Sequence, residues 1–357
     1  MREPYQDLDA AIEERRRMRA RRRRLLYLRR TLIILVAAAL LALVIATPFW
    51  IVDAVRNHKQ KGGQLSEPTA PTTTATTAPT QPPIPAVNEE TTVLGGELDG
   101  TYAVLLDVTD GRVVAAKNAD VPANPASITK VMTLLVAVEN IDNLDAEYTV
   151  PWQVTTHVAL DATRAGLNSG DVFSLRDLLY GCILPSGGDA AVALAHYVSG
   201  MDADHVADAE KWFAKKMNER AKELGATNTN FVNVSGLHDR SHKTTAMDMA
   251  LIMAAAMQNP ICREVLSTPN YSSENTLRLP ASQLAGGTWR STLFTSWLGA
   301  DRHGIMAGKT GYTDQAKHTL ATYTEIGGHR YVFVSMHVSG SGKAVQDAVT
   351  VYEEFCK

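Results

Sequence analysis

Ser127 and Lys130 stand three residues apart in Pro125-Ala126-Ser127-Ile128-Thr129-Lys130. On a helix that spacing puts a hydroxyl and an amine on one face, with Cβ atoms about 5–6 Å apart. An amine so placed can take the hydroxyl proton and leave a nucleophile, provided that the amine is uncharged. The residues that follow supply the reason it would be. Val131, Met132, Leu134, Leu135, Val136 and Val138 leave almost no polar face, the mark of a helix buried in a core. A lysine buried with it is pushed toward the neutral form. Pro125 suits the start of such a helix, and Ser127 in its first turn would meet free N–H groups and the positive dipole end, which favour a developing alkoxide. A lone S-x-x-K arises about once by chance in a chain of this size, so the pair needs company.

Two later stretches provide it. Leu184-Pro185-Ser186-Gly187-Gly188-Asp189 puts a hydroxyl in a tight glycine turn between helical runs, and Lys309-Thr310-Gly311 sets a cation, a hydroxyl and bare backbone on one strand. In this order the three stretches resemble the S-x-x-K, S-D-N and K-T-G set of penicillin-binding proteins and class A β-lactamases, the middle one altered. The flanks narrow the likeness: Gly170-Asp171, Leu178-Leu179-Tyr180-Gly181, Met217-Asn218, Ala221-Lys222-Glu223-Leu224-Gly225, Phe231-Val232-Asn233, Gly236-Leu237-His238-Asp239 and Gly308-Lys309-Thr310-Gly311-Tyr312-Thr313. Over residues 102–355 the chain resembles the low-molecular-weight penicillin-binding proteins, serine-type D-alanyl-D-alanine carboxypeptidases that trim peptidoglycan stem peptides.

The resemblance implies an α/β fold in the α+β sense, like that of serine β-lactamases and DD-peptidases, with an antiparallel sheet flanked by helices and an inserted helical subdomain. It implies Ser127 as nucleophile, Lys130 as general base and Ser186 as proton relay to the departing D-alanine. The backbone N–H groups of Ser127 and Tyr312 would form the oxyanion hole. Lys309 and Thr310 would hold the terminal carboxylate, while the strand through Gly311 and Tyr312 pairs with the extended peptide. Its substrate would be a peptidoglycan pentapeptide and its acylating inhibitors β-lactams, with neither metal nor cofactor.

Three departures stand out. The family commonly has Asn where this chain has Gly188, Ala-Gly where it has Ala316-Lys317, and Arg before the last helix, where Lys343 is the nearest cation. Lysine is a poorer bidentate partner for a carboxylate. The alternative reading is therefore a catalytically impaired penicillin-binding or peptidoglycan-binding protein of the same fold. A β-lactamase is disfavoured, because no E-x-x-x-N stretch follows Ser186 to supply a deacylating glutamate.

The elements that would position these groups read as follows. Residues 102–108 and 112–117 form a hairpin about Asp110-Gly111, and residues 126 to about 260 are mostly helical, with a capping-box pattern at Ser174-Leu175-Arg176-Asp177. Strands return at 305–311, 318–325 and 330–338 with a turn at Gly327-Gly328, and 343–356 reads as a closing helix. His238 and His242 read as loop or surface histidines, the tryptophans as core or rim aromatics, and Met249 and Met253 as helix packing.

The 357 residues are 45% apolar, enough for a packed core, and carry a net charge of −3. Residues 1–30 hold eleven arginines against five acidic residues, a local +6 that leaves −9 for the remainder. Such runs can bind nucleic acid, but residues 31–52 lack any charge and are long enough to cross a bilayer. No nucleic-acid partner is expected. The positive-inside rule puts a cytoplasmic basic tail at 1–30, a transmembrane anchor at 31–52, a Thr/Pro-rich linker at 53–90 and a DD-peptidase-like domain at 91–357 outside the cell membrane. Cys182, Cys262 and Cys356 are too few for a disulfide framework and lack metal-ligand spacing; they read as buried thiols.

Overall fold

The computed structural model describes residues 84–277, 287–299 and 301–356. The basic tail, the apolar stretch and nearly all of the linker lie outside the described residues, and with them the expectations of a membrane span and a cytoplasmic N-terminus. Among the described residues no helix is long and apolar enough to cross a membrane.

Strands gather near the two ends of the described chain: β1 (Thr92–Val93), β2 (Tyr102–Asp107) and β3 (Arg112–Lys117), then β8 (Ala307–Thr313), β9 (Lys317–Ile326) and β10 (His329–Val338). They form one six-stranded sheet in the order β1-β3-β2-β10-β9-β8. The two hairpins seen in the sequence turn where φ is positive, at Gly111 and at Gly327 and Gly328, a backbone state that glycine adopts without strain. The sheet departs from the expected antiparallel pattern at β1, whose two residues run parallel to β3. A strand that short carries no alternation for a sequence to reveal.

Between β3 and β8 lies the helical insertion. It runs through α1 (Lys130–Glu139), β4 (Glu147–Thr149), α2 (Trp152–His157), β5 (Val172–Ser174), α3 (Leu175–Ile183), α4 (Gly188–Ser199), α5 (Val206–Glu223), α6 (Ala246–Gln258), α7 (Pro260–Ser267), β6 (Asn270–Tyr271), α8 (Glu274–Leu277) and β7 (Trp289–Arg290). The β4–β5 and β6–β7 ladders are too short to read from sequence. Helix α3 starts at the expected capping box: Asp177 N donates to Ser174 Oγ at 3.1 Å and Ser174 N donates to Asp177 Oδ2 at 2.8 Å. It stops two residues short of Pro185, which cannot continue a helix.

The closing helix, α9 (Ser341–Phe355), covers one face of the sheet and α6 covers the other. Along β10, Val332, Val334 and Met336 join the core on the α6 side, while Tyr331 and Phe333 join the core on the α9 side. Burial on both faces explains the apolar run Tyr331–Val334 in the middle of β10. Every residue of α1 from Lys130 to Val138 is buried, as its lack of a polar face required. Met249 and Met253 pack in α6, Trp289 is fully buried, Trp152 is exposed, and the three cysteines are buried free thiols.

Candidate active site

Ser127 lies in a 3₁₀ turn, Ala126–Thr129, that leads into α1, so the expected α-helical first turn is a tighter one. The cause is Ala126, whose φ of 49° is left-handed and turns the chain sharply just before the serine. Three contacts hold this turn. Thr319 Oγ1 of β9 donates to Pro125 O at 2.9 Å. A Cβ on Gly311 of β8 would stand 2.7 Å from Ser127 N, and one on Gly236 would overlap the Ala126 carbonyl. The serine turn is thus wedged between β8 and the 233–237 loop, at an approach that only bare backbone permits.

Lys130 Nζ donates to Ser127 Oγ at 3.0 Å and to Ser235 O at 2.7 Å. The side chain is 2% exposed; burial brings its pKa down to about 8, against the opposing pull of Cys182 and Asp189. Lys309, also 2% exposed, donates from Nζ to Thr310 O at 2.9 Å. Burial first, and then the charge of Lys130, lower its pKa to about 7. Lys309, Thr310 and Gly311 are consecutive on β8, the last strand of the sheet, so among the described residues one backbone edge of β8 is free of sheet partners.

Ser186 occupies the turn between α3 and α4 with φ 63°, and its buried Oγ has no hydrogen-bond partner among the described residues. Gly188 N donates to Thr163 O at 2.7 Å. A Cβ there would lie 3.3 Å from that oxygen and 3.4 Å from Ala162 Cβ, so the 159–163 segment packs where a side chain would begin. Asp189, buried, accepts from Ala165 N at 2.7 Å, Gly166 N at 2.9 Å and Leu167 N at 3.0 Å and ties the following stretch to α4.

A cleft of about 550 Å³ opens onto Ser127 and Lys130. One wall comes from residues 159–163, the other from 235–238, and Tyr312 stands at its rim, 52% exposed, donating from its hydroxyl to Asp314 Oδ1 at 3.0 Å. Asn233 shapes the second wall: its Oδ1 accepts from Gly236 N at 2.7 Å and its Nδ2 donates to Leu237 O at 3.0 Å. The family-like stretches at 231–233 and 236–239 were the sequence signal for this wall, whereas nothing in the sequence marked 159–163 or the Ser235 carbonyl.

The structure refines two readings. His242 is a buried residue and not a surface one: Thr129 Oγ1 lies 3.0 Å from its Nε2, Val232 N donates to its Nδ1 at 3.1 Å, and burial lowers its pKa to about 4. It braces the serine turn as a neutral ring. Lys343, the nearest cation before the last helix, is engaged elsewhere, donating to Asp99 Oδ2 at 2.6 Å; of the site residues expected from the sequence, Ser127, Lys130 and Tyr312 line the cleft, while Ser186, Lys309, Thr310 and Gly311 do not.

Comparison with known proteins identifies the family and the fold. The family model described as D-alanyl-D-alanine carboxypeptidase matches residues 87–340. D-alanyl-D-alanine carboxypeptidase DacF of Bacillus subtilis is 32% identical over 234 residues, covering 65% of this chain and 56% of that protein. DacB2 of Mycobacterium tuberculosis is 34% identical over 238 residues, covering 66% and 73%. Among solved structures, the Streptomyces DD-transpeptidase has a TM-score of 0.64 at 29% identity, covering 72% of this chain and 96% of that one. The fold is that of the serine DD-peptidases, and the chain belongs to the D-alanyl-D-alanine carboxypeptidase family.

Proposed function

We propose that this chain is a serine-type D-Ala-D-Ala carboxypeptidase that removes the terminal D-alanine of peptidoglycan stem peptides through an acyl-enzyme. The observation that carries the reading is the 3.0 Å hydrogen bond between Lys130 Nζ and Ser127 Oγ, made by a lysine whose burial favours the neutral amine. In its neutral form Lys130 takes the Ser127 proton as Oγ attacks the carbonyl between the two D-alanines. The oxyanion meets the backbone N–H groups of Ser127 and Tyr312. Lys309 and Thr310 hold the carboxylate of the leaving residue, and the free edge of β8 at Gly311 and Tyr312 pairs with the peptide. Ser186 passes a proton to the departing amine, and water attacking the Ser127 ester then releases the shortened peptide, with Lys130 again as base. β-Lactams would acylate the same oxygen.

Mass spectrometry of the purified protein tests this. Labelled penicillin is expected on Ser127, and D-alanine is expected to be released from a pentapeptide. Labelling without release would mark an impaired enzyme, and absence of both would overturn the reading.

The location follows from charge and hydropathy. Arginines crowd residues 1–30 and none of residues 31–52 is charged, a pattern that supports a single-pass anchor with the N-terminus in the cytoplasm and the catalytic domain beyond the membrane. Separation of the full chain into membrane and soluble fractions, with and without deletion of residues 31–52, checks it.

A further inference from the structure

Both walls of the cleft lead to one ion pair that lies outside it. His157 ends α2 and runs directly into the 158–163 wall, and its Nε2 meets Glu210 Oε2 of α5 at 2.6 Å. The other carboxylate oxygen, Oε1, accepts from Val234 N at 3.3 Å, while Val234 O accepts from Thr133 Oγ1 of α1 at 2.7 Å. The next carbonyl along, that of Ser235, accepts from Lys130 Nζ at 2.7 Å. The pair and this segment border a cavity of about 190 Å³ that shares Ala159, Ser235 and Leu237 with the cleft. Gly188 also borders this cavity and offers no side chain to steady the lysine from that side.

We propose that Glu210, braced by His157, is a positioning residue for the Lys130 amine, because it fixes the 233–235 segment whose Ser235 carbonyl aims that amine at Ser127. This rests on Lys130 being the general base. A carbonyl accepting from a buried amine stabilises its charged form and sets its direction. Losing that carbonyl disfavours the ammonium further and misaims the lone pair. The hydrogen bond from Glu210 raises the pKa of His157, against its burial and Lys211, so the pair keeps its charge to higher pH than a free imidazole would. Arg164, which donates to Thr155 O and Val158 O, is the other cation at this end of α2, and Asp204 meets α2 through Gln153. Around Lys130 the charged and titratable neighbours are Asp189, Cys182, Lys309 and His242.

The test is Ser127 acylation by a fluorescent penicillin in the full-length protein between about pH 5.5 and 9.5, the span over which a buried lysine of this kind titrates. Glu210→Ala is expected to lower the plateau rate about tenfold and to move the limb to which Lys130 contributes, as one of a coupled pair, to lower pH by about half a pH unit or more. Glu210→Gln, which keeps an acceptor for Val234 N, is expected to hold that limb in place. A folded Glu210→Ala protein with wild-type plateau and limb overturns the proposal. So does a lowered plateau with an unmoved limb, which marks a merely structural role. Should Glu210→Ala fail to fold, His157→Ala, which unbraces Glu210, is read by the same two criteria. If the wild type is not acylated on Ser127, or Lys130→Ala acylates as fast, the catalytic reading beneath has failed instead.

Discussion

Lys309 and Lys130 sit close enough inside the fold for the charge of one to lower the proton affinity of the other, and among the described residues neither is paired with a carboxylate. Two cations forced together in a dry interior favour the release of one proton; burial lowers Lys309 further than Lys130, whereas the S-x-x-K mechanism needs a neutral Lys130 beside a charged Lys309, a distribution that a carboxylate bound at Lys309 favours.

The first expectation is therefore a pH profile. Acylation of Ser127 needs Lys130 unprotonated and rises as pH passes its pKa of about 8. Capture of a carboxylate needs Lys309 protonated and weakens as pH passes about 7. The second-order acylation rate with a β-lactam should trace a bell between these values, whose limbs belong to the lysine pair jointly. A rate that is flat from about pH 6 to 9 would contradict both assignments.

A second expectation concerns stability. With a folded pKa of about 7 for Lys309, the unfolded chain binds more protons between that value and the ordinary lysine range. Stability should fall as pH drops through this window. Lys309→Met should remove the Lys309 share of that slope, leaving the share of Lys130, whose pKa is also lowered, to about 8, and should stabilise the protein near neutral pH by about 1–2 kcal/mol while abolishing acylation. Thermal melts at several pH values provide the check, and a destabilised variant would count against a strained, buried ammonium.

Gly311 offers a third. A Cβ on it would lie 2.7 Å from the backbone nitrogen of Ser127, and backbone cannot swing aside as a side chain can. Gly311→Ala should separate β8 from the serine turn, cost about 1–3 kcal/mol and slow acylation by about 10²-fold or more. Wild-type labelling by this variant would show that the wedge does not position the nucleophile.

The fourth concerns Asp189, which receives three N–H groups of residues 165–167 and whose charge also raises the pKa of Lys130. Asp189→Asn leaves one oxygen where two were used and should cost on the order of 2–3 kcal/mol. The acylation limb should shift to lower pH, because a negative charge that favoured the ammonium is gone. Denaturant melts and the labelling profile together decide it; an unmoved limb would sever the link to Lys130.

Local patterns in the sequence determined a good deal. The burial of α1 follows from a run without a polar face, the capping box at Ser174 from four residues, and both main hairpins from glycine turns between apolar runs. Ser127, Lys130 and Lys309 were legible because their spacing and company are local properties of the chain. What only the tertiary structure decided depends on residues far apart in sequence. Gly311 and Gly236 close on the Ala126–Ser127 turn from different segments, Ser235 supplies a carbonyl that residue type cannot advertise, and Glu210 reaches Val234 and His157 across 24 and 53 residues. Backbone groups and long-range ion pairs leave no periodic trace in a single sequence, because their partners are chosen by packing; the proton affinities of the two lysines arise in the same way, from the burial that packing imposes.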